Sequence, residues 1–144
     1  MVRNERLTHA APEHVWDVLA DGWLYPLWVV GASRMRSVDE EWPGVGSRIH
    51  HSVGAWPLLV DDATLVEEVD PGVRLQVRAR GWPLGEARVV LTLQPEGGGT
   101  RLVIEEDAVA GPGRLVPPPL RGVGIAWRNI ESLRRLALLA EGRS

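Results

Sequence analysis

Two residues of this chain have the types and positions needed for acid–base chemistry. Strand alternation carries Leu102 and Ile104 forward to Glu106, and carries Ile49 and Val53 to His51, so both fall on inward positions. A histidine beside a carboxylate is a general acid–base pair. Ala63 and Leu65 carry Asp61 to the same side, although the opposite parity through Val66 fits almost as well. Inward polar residues need an explanation, because burying a polar group costs free energy unless it is paired. The same residues also fit a satisfied hydrogen bond at the mouth of a cavity. A bulge near Trp56 would exchange His50 for His51.

Other chemistries lack their residues. The 144-residue chain has no cysteine, which excludes disulfides and thiolate catalysis. All sixteen basic residues are arginine, so no lysine can form a Schiff base or hold a phosphate in a P-loop. No serine sits in a Gly-x-Ser-x-Gly context. Gly97-Gly98-Gly99 joins two strands and opens no helix, so it reads as a hairpin turn and not a phosphate cradle. His9 and His14 straddle a strand–helix junction without ligand spacing, so no metal or cofactor is expected. The arginines are scattered among acids and the net charge is −3, which argues against nucleic acid. No apolar run reaches a bilayer span, and the first residues lack a signal-peptide core. A cytoplasmic protein is expected.

The elements that must position these residues follow from periodicity. Val2 to Thr8 reads as a strand. Pro12 suits a helix N1 position, and Val15, Trp16 and Leu19 form its apolar stripe until Asp21-Gly22. Trp23 to Val30 is one or two further helical turns, or an irregular lid. Strands then follow over Ser33–Glu40, Ser47–Val53, Leu58–Val69, Val73–Arg80, Glu86–Leu93 and Thr100–Ala110, separated by Gly, Pro and Asp turns. Gly111 to Pro119 is a connection. A long helix over Leu120–Glu141 places Val123, Trp127, Ile130, Leu133, Leu136 and Ala137 at helical spacing. No internal repeat or second domain is visible, so residues 1–144 read as one domain. The order predicts an α+β fold: a curved seven-stranded antiparallel sheet around a long C-terminal helix, with two short helices between strands one and two.

Four strings carry a family resemblance. APEHVWDVLADGWLYPLW resembles the start of the START-like (SRPBCC) helix-grip superfamily, in its polyketide cyclase/dehydrase and lipid-transport branch. EEVDPGVRL is similar to that branch's strand–Asp-Pro–strand turn, GGGTRLVIEED to its penultimate hairpin, and NIESLRRLALLAE to its closing helix. These strings are specific for fold and not for activity. The resemblance implies a sheet that grips the last helix and a tunnel for lipids, sterols, quinones or polyketides. Some members cyclise or dehydrate polyketides, and many only carry.

On that fold the inward wall is Ile49, Val53, Leu65, Leu75, Val77, Val89, Leu91 and Ile104, faced by Trp127 and Ile130 of the long helix. Trp23, Tyr25 and Trp28 form the small-helix side, and Trp56 and Trp82 lie in loops at a mouth. The chain has seven tryptophans, one tyrosine and no phenylalanine. Those tryptophans either line a cavity or fill the core. Arg80, near Trp82, reads as a solvated outer-face arginine or as a partner for an anionic head group. Three functions fit: a binder of a small hydrophobic molecule, a polyketide cyclase or dehydratase working through His51 and Glu106, or an interaction module whose cavity is filled by its own side chains. A monomer and a homodimer are both compatible with the closing helix.

Overall fold

Alternating residues make a sheet only if one face can be covered, and here a helix covers part of it. The computed structural model describes residues 2–30, 32–53, 60–81, 85–110 and 118–142. Strand β1 (Val2–Thr8) leads to helix α1 (Pro12–Ala20), a 3-10 turn (Gly22–Leu24) and the short helix α2 (Tyr25–Trp28). Strands β2 (Ala32–Val38), β3 (Arg48–Val53), β4 (Val60–Asp70), β5 (Arg74–Gly81), β6 (Gly85–Glu96) and β7 (Gly99–Ala110) follow, and helix α3 (Pro118–Glu141) closes the chain. The seven strands form one antiparallel sheet in the order β1-β7-β6-β5-β4-β3-β2, as the element order predicts.

Local chemistry sets the boundaries. Pro12 opens α1 where its missing N–H costs nothing, and Val15, Val18 and Leu19 bury its inner face. Asp21 accepts the Trp23 backbone N–H at 3.2 Å and starts the 3-10 turn. The turn between the expected strands Glu86–Leu93 and Thr100–Ala110 is shorter in the structure. Gly97 and Gly98 both take positive φ, which lets a two-residue hairpin extend β6 to Glu96 and start β7 at Gly99. Pro118 and Pro119 lie in the first turn of α3, two residues ahead of the expected start.

The core lies between the concave face and the helices. Ile49, Val66, Leu75, Val77, Leu91, Leu93, Leu102 and Ile104 supply the sheet side. Leu133, Leu136, Ala137 and Ala140 supply the α3 side, packed chiefly toward β1. On the opposite face Arg78 and Arg88 meet Glu67, Arg74 meets Glu68, and Arg101 meets Glu5 and Glu96. Arg80 pairs with Glu86 at 3.1 Å there, in keeping with the solvated outer-face reading. Such exposed pairs each contribute at most about 1 kcal/mol.

One end of α3 is pinned. Thr8 Oγ1 donates to Glu141 Oε2 at 2.6 Å, and Thr100 Oγ1 donates to the Ala10 carbonyl at 2.8 Å. Gly99 lets the backbones meet here, since a Cβ on it would overlap the Thr8 carbonyl oxygen. Gly99→Ala is therefore expected to lower stability by about 2 kcal/mol or more, read as a fall in Tm of at least about 5 °C. Gly124→Ala, in α3 with open space around the added methyl, is expected to raise stability by about 0.5–1 kcal/mol. Equal Tm values for Gly99→Ala and the unsubstituted protein would show that the close approach is not needed.

Candidate functional site

The inward positions of β3 and β4 carry the polar cluster. Ile49 pairs with Thr64 across the two strands, so the two side chains share a face, and His51 lies two residues along on that face. His51 and Thr64 are both buried. Thr64 Oγ1 lies 2.8 Å from His51 Nε2 and 3.1 Å from the Tyr25 hydroxyl, so one hydroxyl bridges an imidazole and a phenol. A hydroxyl has one proton to give, so at least one of these bonds runs into Thr64. Tyr25 also stacks on His51, with ring centroids 5.4 Å apart and planes 23° apart. Trp28 meets Tyr25 edge-on at 5.5 Å. The short helix α2 thus holds two aromatic rings over the β3–β4 cluster.

A second polar element lies across the sheet. Glu106 is buried on the inward side of β7 and accepts from the Arg128 guanidinium of α3. One turn on, Ser132 Oγ accepts the Val30 N–H at 3.2 Å and ties α3 to the segment after α2. Between them sits Asn129, 2% exposed, whose Nδ2 has no hydrogen-bond partner among the described residues. A buried donor left unpaired costs about 1–3 kcal/mol.

The structure places several of the expected residues. His51 is the inward histidine; His50 is half-exposed and lies 3.3 Å from Asp39. Glu106 is inward as expected, but the two do not form the expected acid–base pair. Strands β6, β5 and β4 separate β7 from β3, and each residue bonds elsewhere. Ile49, Leu75, Val77, Leu91 and Ile104 are buried inward, Val89 is partly buried against them, and Tyr25 and Trp28 are buried in α2. The side chains of Val53 and Asp61 and the loop residues Trp56 and Trp82 lie outside the described residues.

Four inward expectations are corrected. Leu65 pairs with exposed Arg48 and shares the outer face, because the Val66 parity governs β4 and a bulge follows Val66. Trp23 is 58% exposed in the 3-10 turn. Trp127 and Ile130 are 69% and 55% exposed. At 100° per residue Trp127 stands about 180° from Leu136, so the apolar residues of α3 form two stripes and not one. The inward positions they were expected to fill belong to Asn129 and Ser132.

Sequence reasoning missed Thr64, Asn129, Ser132 and the inward reach of Arg128. Only Thr64 had a usable signal, the alternative parity through Val66. A separate surface groove of about 470 Å³, lined by Asp17, Asp21, Trp23, Val38, Asp39 and Trp42 among others, shares no residue with the cluster. Among the described residues no group of three or more His, Asp or Glu side chains could hold a metal, and no helix is long and apolar enough to cross a membrane.

The whole chain has known relatives in family and in fold. Residues 2–141 match the family described as polyketide cyclase / dehydrase and lipid transport. The fold is similar to protein NE0264 from Nitrosomonas europaea, with a TM-score of 0.74, 19% identity, and coverage of 99% of this chain and 95% of that one. TTHA0849 from Thermus thermophilus matches with a TM-score of 0.72, 21% identity, and coverage of 99% and 98%. The di-domain ARO/CYC StfQ from the steffimycin biosynthetic pathway matches with a TM-score of 0.74 at 14% identity, over 98% of this chain and 50% of that one. These likenesses are likenesses of fold. No functionally curated protein matches the sequence.

The cluster has a spectroscopic handle, because Tyr25 is the sole tyrosine of the chain. Burial pushes its phenol up from the usual value, opposed by the Thr64 hydrogen bond and raised further by the Glu106 charge. The tyrosinate absorbance is expected to stay low at pH 10, where a free tyrosine is about half ionised. Thr64→Val removes the bond that favours the phenolate and is expected to move the midpoint higher still. The phenol's contribution to folding is complete below the unfolded value and is lost as pH rises through the folded one, so stability should fall only above about pH 10. A midpoint at the free-tyrosine value would show that Tyr25 is not buried in solution.

Proposed function

The chain belongs to the polyketide cyclase/dehydrase and lipid-transport family, and on that premise we propose that it binds a small, mainly apolar molecule carrying a carbonyl or hydroxyl group, between the concave sheet face and α3. The observation that carries this reading is a polar arc, buried except for Arg128, on an otherwise apolar wall. Tyr25, Thr64 and His51 form one end of the arc, and Glu106, Arg128 and Asn129 the other. Ligand sites of this kind are mostly hydrophobic, with a few placed polar groups that fix orientation. Asn129 Nδ2, which has no partner among the described residues, is the donor a ligand carbonyl would satisfy.

Lifting α2 would open a way in. Tyr25 and Trp28 cover the β3–β4 cluster, and the ties seen to hold α2 include the Tyr25–Thr64 bond and the neighbouring Val30–Ser132 bond. Filling the space with a ligand then exchanges these rings for ligand surface. Each Å² of apolar ligand surface removed from water contributes roughly 25 cal/mol before the costs of association.

A second reading, a cyclase or dehydratase, is favoured by one observation: the imidazole is already hydrogen-bonded in a dry site. In that reaction His51 takes a proton from carbon next to a ligand carbonyl, and Tyr25 or Asn129 donates to the resulting enolate oxygen. The carbanion closes on a second carbonyl carbon, whose oxygen takes up a proton. Loss of water completes a dehydration. Both the binder and the cyclase use the same residues, so they differ in turnover and not in geometry. The steffimycin-pathway ARO/CYC, similar in fold, adds support for a polyketide-like ligand.

Native mass spectrometry of the purified protein, followed by organic extraction, is the decisive experiment. A bound compound with a carbonyl or hydroxyl group is expected. Asn129→Leu should weaken its rebinding about tenfold, the value of one lost hydrogen bond to a buried donor. His51→Gln should retain binding and, under the cyclase reading, abolish conversion. An empty protein that also fails to quench its tryptophan fluorescence with aromatic polyketides or acyl chains would overturn the proposal in favour of a self-filled interior.

A further inference from the structure

Helix α3 has a second apolar stripe that stands exposed and that no described element covers. Val123 is 71% exposed, Trp127 69%, Ile130 55% and Leu138 52%. Arg134 is exposed in the same line. At 100° per residue these five positions fall within about 80° of the helix circumference, on the side away from buried Asn129, Leu136 and Ala140. An exposed apolar strip with an open indole, broken only by Arg134, marks an interaction surface.

The spacing identifies the occupant. Positions 123 and 138 are equidistant from the point midway between Ile130 and Glu131, and so are 127 and 134. A stripe with that symmetry fits its own copy laid antiparallel across it. The two-fold axis then sets Val123 against Leu138 of the second copy and Trp127 against Arg134 of the second copy, and brings the two Ile130 side chains together beside the axis. Isologous interfaces demand this self-complementarity, and an unrelated partner does not.

The charges agree with the spacing. Glu131 accepts from Arg134 at 2.7 and 3.0 Å and from Arg135 at 3.0 Å, and these bonds hold its carboxyl down at about 2. The Arg134 guanidinium is thus already held and neutralised, with its planar face free to lie on an indole. A lipid surface would have to take that ion pair into the middle of its apolar contact, and a second copy places it over Trp127.

We propose that α3 forms a two-fold homodimer with a second copy of this chain, antiparallel and crossing between Ile130 and Glu131. The stripe spans about 22 Å at 1.5 Å per residue. One helix face of that length stays below about 1,200 Å² of total buried area, the low end for specific interfaces. The dimer should therefore dissociate in the micromolar range.

Sedimentation velocity of the whole chain over a micromolar concentration series tests this. A shift from monomer to dimer mass is expected, and Trp127→Glu should raise the dissociation constant at least tenfold while leaving the far-UV spectrum and Tm unchanged. The chain has no cysteine, so single thiols report the geometry. Ile130→Cys should be joined to itself by a short bismaleimide. Val123→Cys should be joined to Leu138→Cys in a mixed sample and not to itself. A protein that stays monomeric to several hundred micromolar, or a dimer unaffected by Trp127→Glu, overturns the proposal. Efficient self-linking of Val123→Cys overturns the antiparallel arrangement. Co-sedimentation of monomer with phosphatidylglycerol vesicles, lost in Trp127→Glu, assigns the stripe to a lipid surface instead.

Discussion

The attachment of α3 to one edge of the sheet governs the rest of the molecule. Its C-terminal half is held where β1 meets β7: Thr8 bonds Glu141, Thr100 bonds the Ala10 carbonyl, and Gly99 leaves room for the backbones. Leu133, Leu136, Ala137 and Ala140 are all buried along this half. The N-terminal half has a different kind of contact. Arg128 reaches Glu106 of β7, Ser132 meets the chain after α2, and Asn129 stands between them with no partner for its Nδ2 among the described residues. A helix clamped apolar-to-apolar at one end and tied by polar groups at the other opens more easily at the polar end, because water can replace a hydrogen bond and cannot replace burial.

Strand order then decides what covers the far side of the sheet. β3 and β4 lie at the opposite end from β1 and β7. The side chains over their inward positions come from α2, a single turn of helix with Tyr25 and Trp28 facing in. Such a cover is weak, since a four-residue helix has almost no stability of its own and depends on the contacts it makes. In the Tyr25–Thr64–His51 network one threonine hydroxyl joins the phenol and the imidazole, so these side chains hold one another without a ligand. Asn129 Nδ2 has no partner among the described residues, so it points to a ligand independently of that network. A fold with no use for a ligand would gain about 1–3 kcal/mol by replacing it with an apolar residue.

Most of the fold was legible because alternation and turn residues agree. Val77 and Ala79 against Val89 and Ala87, and Leu91 against Ile104, are direct pairs in the structure, and both parities were plain in the strings. β4 was different. Ala63 and Leu65 on one parity and Val66 on the other left its face ambiguous, and the register with β3 resolved it through the Ile49–Thr64 pair. The error hid Thr64, the residue that links the histidine to the phenol. In α3 the fault was of another kind. Apolar residues recur at steps of three and four on two sides of the helix, and a one-dimensional pattern merges them into one stripe. Asn129 and Ser132 look like solvent residues in such a pattern, although they face the sheet side. The His51–Glu106 pairing failed because parity fixes a face and says nothing of how many strands lie between two residues on it.

The aromatic composition bears on which reading of the interior is right. The chain carries seven tryptophans and no phenylalanine. Trp42 shows the usual arrangement, buried beneath α1 with its indole N–H donated to the Leu19 carbonyl at 3.0 Å. If position 25 served only to fill, an aromatic without a hydroxyl would serve as well, and burial alone disfavours the phenol's polar end. The single tyrosine stands instead where its hydroxyl meets Thr64 and its ring lies flat on His51. That placement orients the imidazole from two directions, by a hydrogen bond through Thr64 and by stacking. Orientation of a histidine is what a site for recognition or proton transfer needs, and a core that only has to be dense does not.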